Sequence, residues 1–369
     1  MAHRIKYLLA FLLLALISRV GAQEYDERHH EGDTAEVARE SEAFDPGTFI
    51  LEHIGDAYEW HILTVNGHHV SVPLPVIVYS THPEHEGLHV FMSNKFHHGE
   101  HHGFRIAHDG NNKGKIVEQA ADGSFVRPAV DISITKNVLA LFVSVIIILS
   151  VFLSVAKRYK AHPDKAPAGL QGLMEPLILF VRDDIARPAI GHKYMRFMPY
   201  LLTIFFFILI NNLTGLIPVF PFGANVTGNI AITLVLALLT FIITLGNSNR
   251  NYWIHIFNTP GVPWWLKIPL PLIPFIEFVG MLIKPFVLMV RLFANITAGH
   301  IIAIGFFSLI FIFGAKSAVM GYGMSIVSVT FTIFMTVLEL LVAFIQAYVF
   351  TLLSALYFGS AVEEHHHKE

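Results

Sequence analysis

A single apolar run between Ile273 and Phe313 carries Glu277, Lys284, Arg291, Asn295 and His300. The run is about twice the ~20 apolar residues that cross a bilayer. An arginine near the middle of such a helix costs roughly 2.5–3.5 kcal/mol on insertion scales, a cost a chain retains where the charge faces protein or water. Glu277, Lys284 and Arg291 recur every seven residues, so at ~100° per residue each step drifts by about 20° around the helix. Asn295 joins that face, while His300 points to nearly the opposite side, ~13 Å along the axis. The last apolar run, Met324 to Val362, carries Glu339 and, two turns on, Gln346. With the two runs antiparallel, Glu339 approaches His300 while Gln346 approaches Arg291. A carboxyl and an imidazole at one depth exchange a proton, each tuning the other. Arginine does not release its proton. It attracts and discharges a carboxylate moving past in lipid, and it blocks a direct leak between two aqueous inlets. Plainer readings stand beside these: Glu277 as a snorkelling or capping residue, Lys284 before Pro285 as structural, and Asn295 and Gln346 as interhelical bridges.

The rest of the chain must place those residues. Of 369 residues, 54% are apolar and 14% charged, which fits a polytopic membrane protein with an attached polar segment. A net charge of −3 argues against a nucleic-acid partner. With no cysteine there is no disulfide, thiolate metal site or Cys nucleophile. No GxxxxGK[ST] motif is present, so the chain itself is not expected to bind ATP, and no cofactor is implied.

Residues 1–22 read as a signal peptide: basic His3, Arg4 and Lys6, an apolar Tyr7 to Ile17, and Val20-Gly21-Ala22 before Gln23. An uncleaved anchor helix is the other reading. Residues 23–135 form a His-rich extracytoplasmic region holding fourteen of the 22 histidines. Its acidic start (EYDERHHEGDTAEVARESEAFDPG) reads as disordered. Short strands follow at His61 to Val65 and His69 to Pro73 around Asn66-Gly67, then at Val76 to Ser80, Leu88 to Ser93 and Phe104 to Ala107, with a turn at Asp109 to Asn112. The pairs His68-His69, His97-His98 and His101-His102 suit either a metal or a solvated surface that titrates with external pH, and no ligand set closes.

Residues 136–369 form the membrane part. Spans are expected at Asn137 to Ala156, Phe197 to Ile217, Ile230 to Leu245 and the two long runs, with a turn over Gly314 to Gly323. Leu170 to Ile185 is amphipathic and is expected to lie on the cytoplasmic interface. Thr259 to Pro274 is a Pro- and Trp-bearing interfacial loop. Lys157, Arg158, Lys160 and Lys165 set the first span running outside to inside, leaving the carboxyl end in the cytoplasm. The expected class is an all-α polytopic membrane protein of five transmembrane helices plus one interfacial helix. Its last two helices form a long tilted antiparallel hairpin, and its small extracytoplasmic N-terminal region is β-rich or disordered.

The run LIKPFVLMVRLFANITAGHIIAI, with QAYVFTLLSALY near the carboxyl end, resembles subunit a of the F-type ATP synthase, the membrane stator beside the rotating c-ring. FVRDDIARPAIG, NNLTGLIP and GVPWWLKIPLPLIPFIE resemble the same family, so the likeness covers roughly Lys136 to Glu364. The resemblance implies two offset half-channels against the c-ring, with proton flow driving rotation and ATP synthesis elsewhere in the complex. It implies a bacterial inner membrane location, with the c-ring, the subunit b peripheral stalk, the remaining complex and the lipid bilayer as partners. Arg291 matches the stator arginine facing the c-ring carboxylate, with Asn295 and Gln346 lining that face. His300 and Glu339 match an outer half-channel pair held by a Glu and a His in some members, with the types exchanged here. Glu277 matches the cytoplasmic half-channel carboxylate. Asn229 stands where many members carry an Asp. The alternative is a secondary transporter of a metal or other cation with a His-rich capture domain, which broken helices and inverted repeats would favour; no repeat pairs the spans.

Overall fold

The computed structural model describes residues 46–363 except 66–67, 84, 108–109, 121–122, 218–219 and 258–271. The expected signal peptide, most of the acidic segment, most of the Trp-bearing loop and the last six residues lie outside the described residues.

A short helix, α1 (Pro46–Ile54), precedes eight strands: β1 (Glu59–Val65), β2 (His68–Pro73), β3 (Pro75–Ser80), β4 (Gly87–Met92), β5 (Phe104–Ile106), β6 (Ile116–Gln119), β7 (Phe125–Val126) and β8 (Val130–Asp131). They pair antiparallel as three small sheets, β1-β2, β4-β3-β8 and β5-β6-β7. Val65 faces His68, so Asn66-Gly67 alone connects β1 and β2, as the hairpin signal requires. In β3 the side chains alternate: Val76, Val78 and Ser80 are wholly buried between more accessible neighbours, the two-residue period of a strand with one covered face. Val76 and Val78 meet Tyr58, Phe96, Phe104 and Ile116 in a core of their own. The Tyr58 hydroxyl donates to Asp131 Oδ2 at 2.6 Å, tying β8 to that core. Burial, and then this bond, hold the Tyr58 phenol well above its ordinary pKa.

The helical part follows: α2 (Lys136–Ala161), α3 (Leu170–Phe180), a π-helical stretch (Val181–Ala186), α4 (Arg187–Ile190), α5 (Tyr194–Gly215), α6 (Ile230–Gly246), α7 (Arg250–Phe257), α8 (Leu272–Lys316) and α9 (Ala318–Val362). Local signals explain the starts. Thr135 caps α2 by accepting from the Val138 N–H, and Asn229 caps α6 by accepting from the Ala231 N–H at 2.9 Å. α5 is the inner post of the bundle. Its Leu201, Ile204, Phe205, Phe206 and Ile208 meet Val181 and Ile185 of the π stretch, Leu288 and Leu292 of α8, and Phe350 and Phe358 of α9 in one core. In the second half of the 170–185 stretch Val181 and Ile185 are wholly buried while Asp184 is exposed, as the amphipathic reading requires, but in the first half Leu170 and Leu173 are exposed and Gln171 is buried.

Among the described residues, four helices or runs of helices are long and apolar enough to cross a membrane, and five if a bent pair counts as one span. The five-span expectation meets its difference at α6, which has 17 residues and turns by 103° into α7. The run from Leu170 to Gly215 qualifies as a single 46-residue candidate, joining the expected interfacial helix to the next span. A second difference lies at the hairpin tip. Residues 314–323 were expected to turn, yet α8 runs through Lys316 and α9 starts at Ala318. The glycines there serve a close crossing: a Cβ on Gly321 would stand 2.8 Å from the Gly314 Cα. The helix Pro46–Ile54 begins inside the stretch read as disordered, with proline supplying the first-turn φ.

Candidate functional site

The register of α8 against α9 decides which polar residues meet. Gly314 lies against Gly321, the rings of Phe306 and Phe331 stand 4.1 Å apart, and Gly299 lies against Glu339. The same antiparallel register sets Gln346 near the level of Arg291, as expected from depth, and Ser360 near that of Glu277.

His300 and Glu339 come together. With Asn212, Leu216, Asn295, Ile296, Val342 and Ala343 they line one small cavity. Gly299 makes room for the carboxyl: a Cβ there would lie 2.5 Å from Glu339 Oε1, 3.1 Å from Cγ and 3.2 Å from Cδ. That Oε1 is buried and has no hydrogen-bond partner among the described residues. A buried oxygen without a protein partner is costly, and protonation or contact with a proton carrier relieves that cost. Asn212 is held from two sides. Its amide donates to the Ala343 carbonyl at 3.2 Å, and its oxygen accepts from the Thr227 hydroxyl at 2.6 Å. This cross-brace of α5, the segment before α6 and α9 gives the cavity a fixed polar wall. The sequence placed Asn212 within the NNLTGLIP likeness but gave it no role of its own.

Arg291 lies on the chain's own surface, exposed, as does Asn295 one turn away. No salt bridge among the described residues includes Arg291. The described arginine pairs are Arg127–Asp131, and Arg182 and Arg187 on Asp183. Within α8 only 6% of the most apolar window is buried in this chain, so its apolar face meets lipid or another polypeptide. A guanidinium on such a face needs water or an acid from outside the chain. Gln346 differs from the expectation. It is 5% exposed, so packing of α9 against the bundle covers an amide that was expected to line the same open face as Arg291 and Asn295.

Glu277 lines a second cavity with Asn251, Tyr252, His255, Lys284, Ser360 and Glu363, near the opposite ends of the two long helices. The Lys284 ammonium stands 5.4 Å from the centre of the Tyr357 ring. Nothing in the sequence had marked His255, which sits on the short α7. Asn229, which stands where many members of the resembled family carry an Asp, is engaged in capping α6. In the β-rich domain the rings of His101 and His102 stand 4.3 Å apart and those of His89 and His102 6.0 Å apart. No group of three His, Asp or Glu among the described residues is placed to hold a metal ion.

Comparison with known proteins adds the following. A family model described as ATP synthase A chain matches residues 138–359, and one described as a domain of unknown function (DUF8433) matches residues 49–138. The chain is 45% identical over 244 residues to ATP synthase subunit a of Chloroherpeton thalassium, covering 64% of this chain and 69% of that protein. It is 46% identical over 245 residues to ATP synthase subunit a 2 of Prosthecochloris aestuarii, covering 64% and 71%.

Proposed function

The chain belongs to the F-type ATP synthase subunit a family and is a proton-translocating stator subunit of that complex, and on that footing we propose how its residues divide the work. It is a multi-pass inner-membrane protein, with a mostly helical body and strands in its N-terminal region. No catalytic role of its own is assigned to it, and the comparisons give no support to a metal-transporter reading.

In the proposed mechanism protons arrive from outside at the cavity of His300 and Glu339. The imidazole and carboxyl pass a proton to a carboxyl on the neighbouring rotor, the ring of c subunits. Arg291 meets the deprotonated form of that rotor carboxylate. Its fixed charge stabilises the anion while the anion crosses between inlets, and it repels a proton that would cross directly. After nearly a full rotation the proton leaves through the cavity holding Glu277. Asn295 shares the rotor face with Arg291, and Gln346 supports that level from within the α8/α9 pair. The two cavities lie on either side of the exposed Arg291 along one hairpin, which supports the reading that the two paths are offset.

The finer architecture proposed is five spans with α6 and α7 as one bent span, an interfacial stretch at 170–185, the N-terminal region outside and the carboxyl end in the cytoplasm. Residues 1–22 act as a signal peptide, 23–135 as the extracytoplasmic region and 136–369 as the membrane domain, with subunit b among the stator contacts. The observation that carries the functional reading is Arg291, exposed on an apolar helix face and in no salt bridge among the described residues. Cysteine at Asn295 in the assembled enzyme should cross-link to a c subunit, and a product absent at Asn295 but present at a lipid-facing control on α2 would contradict it.

A further inference from the structure

The β-rich domain sits against the elements that hold His300. On α1, Ile50 reaches α8: a Cβ on Gly305 would lie 4.0 Å from its Cδ1. Trp60, 4% exposed, clusters with Ala224, Val226 and Leu139, and its ring meets Phe220 edge-on at 5.4 Å. One glycine separates that contact from the imidazole. A Cβ on Gly215 would stand 3.3 Å from the Ala224 carbonyl oxygen and 4.0 Å from His300 Nε2.

The junction between domain and bundle is charged. Asp56 Oδ1 accepts from the N–H groups of Ala57 at 3.1 Å and Asn137 at 3.0 Å. The Lys136 N–H donates to the Ala57 carbonyl at 2.8 Å. Asp56 is exposed, while the Lys136 side chain is buried within electrostatic reach of both Asp56 and His300. A buried ammonium is costly unless an anion compensates it, and Asp56, fixed at the head of α2 by those hydrogen bonds, is a carboxylate within electrostatic reach of it.

We propose that the β-rich domain forms the outer wall of the proton inlet, with Asp56 and Lys136 as positioning residues that set the charge around the His300–Glu339 pair. This rests on the reading of that pair as the inlet. The polar groups sharing the cavity with His300 are the Glu339 carboxyl of α9 and the neutral amides of Asn212 on α5 and Asn295 on α8, while the buried Lys136 at the head of α2 lies within electrostatic reach of it. A buried cation within electrostatic reach of the cavity raises the work of placing a second positive charge there, so an arriving proton is passed on to Glu339 rather than held. Asp56 moderates that cation and is the first of these charges met from solvent. The domain of unknown function thereby tunes proton delivery.

The test uses the intact ATP synthase in sealed vesicles, with ATP synthesis measured against pH on the side bearing the β-rich domain and the other side held constant. K136Q should move the half-maximal pH upward by ~0.5 unit or more. K136R should return it towards wild type, and D56N should move it the opposite way from K136Q. Profiles that superimpose on wild type, or that fall equally at every pH, would overturn the proposal. If K136Q does not assemble, D56N decides alone, and an unmoved midpoint counts against the idea. An Arg291→Ala control separates the layers. If it leaves synthesis intact the inlet reading itself fails, whereas if it abolishes synthesis and no midpoint moves, only the outer-wall role fails.

Discussion

Replacing Gly299 by alanine should impair proton transfer while leaving the enzyme assembled. The added methyl would stand 2.5 Å from Glu339 Oε1, with Cγ and Cδ at 3.1 and 3.2 Å. A carbon and an oxygen do not approach so closely without repulsion, so the carboxyl must retreat by about 1 Å or leave its rotamer. A 30° departure costs roughly 0.5–1.5 kcal/mol, and a misplacement of about 1 Å at a reacting group can cost ~100-fold in rate. The helix itself gains, because alanine exceeds glycine by up to ~1 kcal/mol in a helix interior. The expected result is therefore a 10- to 100-fold fall in ATP-driven proton pumping in membrane vesicles, with normal amounts of assembled complex. Shortening the partner should help: G299A with Glu339→Asp withdraws the carboxyl from the methyl and regains part of the loss. Wild-type pumping by G299A would refute the contact and the role given to Glu339.

Two further outcomes test neighbouring parts of the account. Exchanging the pair, His300→Glu together with Glu339→His, should retain more ATP-coupled pumping than either single change, since one acid and one imidazole still share the cavity; equal loss in all three would count against their contact. Tyr58→Phe should destabilise the β-rich domain by ~1.5–3 kcal/mol by removing a bond to a charged group, read by thermal unfolding of the purified protein. Because folding raises the Tyr58 pKa, the protonated phenol stabilises the fold below about pH 10 and that contribution fades as pH climbs towards its folded value. Y58F should lack this alkaline loss, and an identical alkaline profile would contradict it.

How much of this was legible in the sequence depended on the cost of the residue. Arg291 was readable because a charge in hydrocarbon has few structural excuses, and its exposed place in the fold agrees with that logic. His300 and Glu339 were readable as a pair because two long antiparallel helices leave little choice of register. The β1-β2 hairpin was announced by Asn66-Gly67, whereas β7 and β8, two residues each, carry no alternation to detect. Gly314 to Gly323 misled, because glycines suit a turn and a close helix crossing equally, and only tertiary contact distinguishes the two. His255 and Asn212 were hidden for a related reason: each enters its cavity through bends and braces set by distant segments. Gln346 shared a level with Arg291 but not its exposure, since depth along a helix follows from numbering and the covering of a side chain does not.

The most direct measurement concerns the guanidinium itself. In sealed membrane vesicles carrying equal amounts of assembled enzyme, Arg291→Ala should abolish ATP-coupled proton pumping while permitting passive proton leak through the complex. Pumping at the wild-type rate in that variant would contradict the central claim.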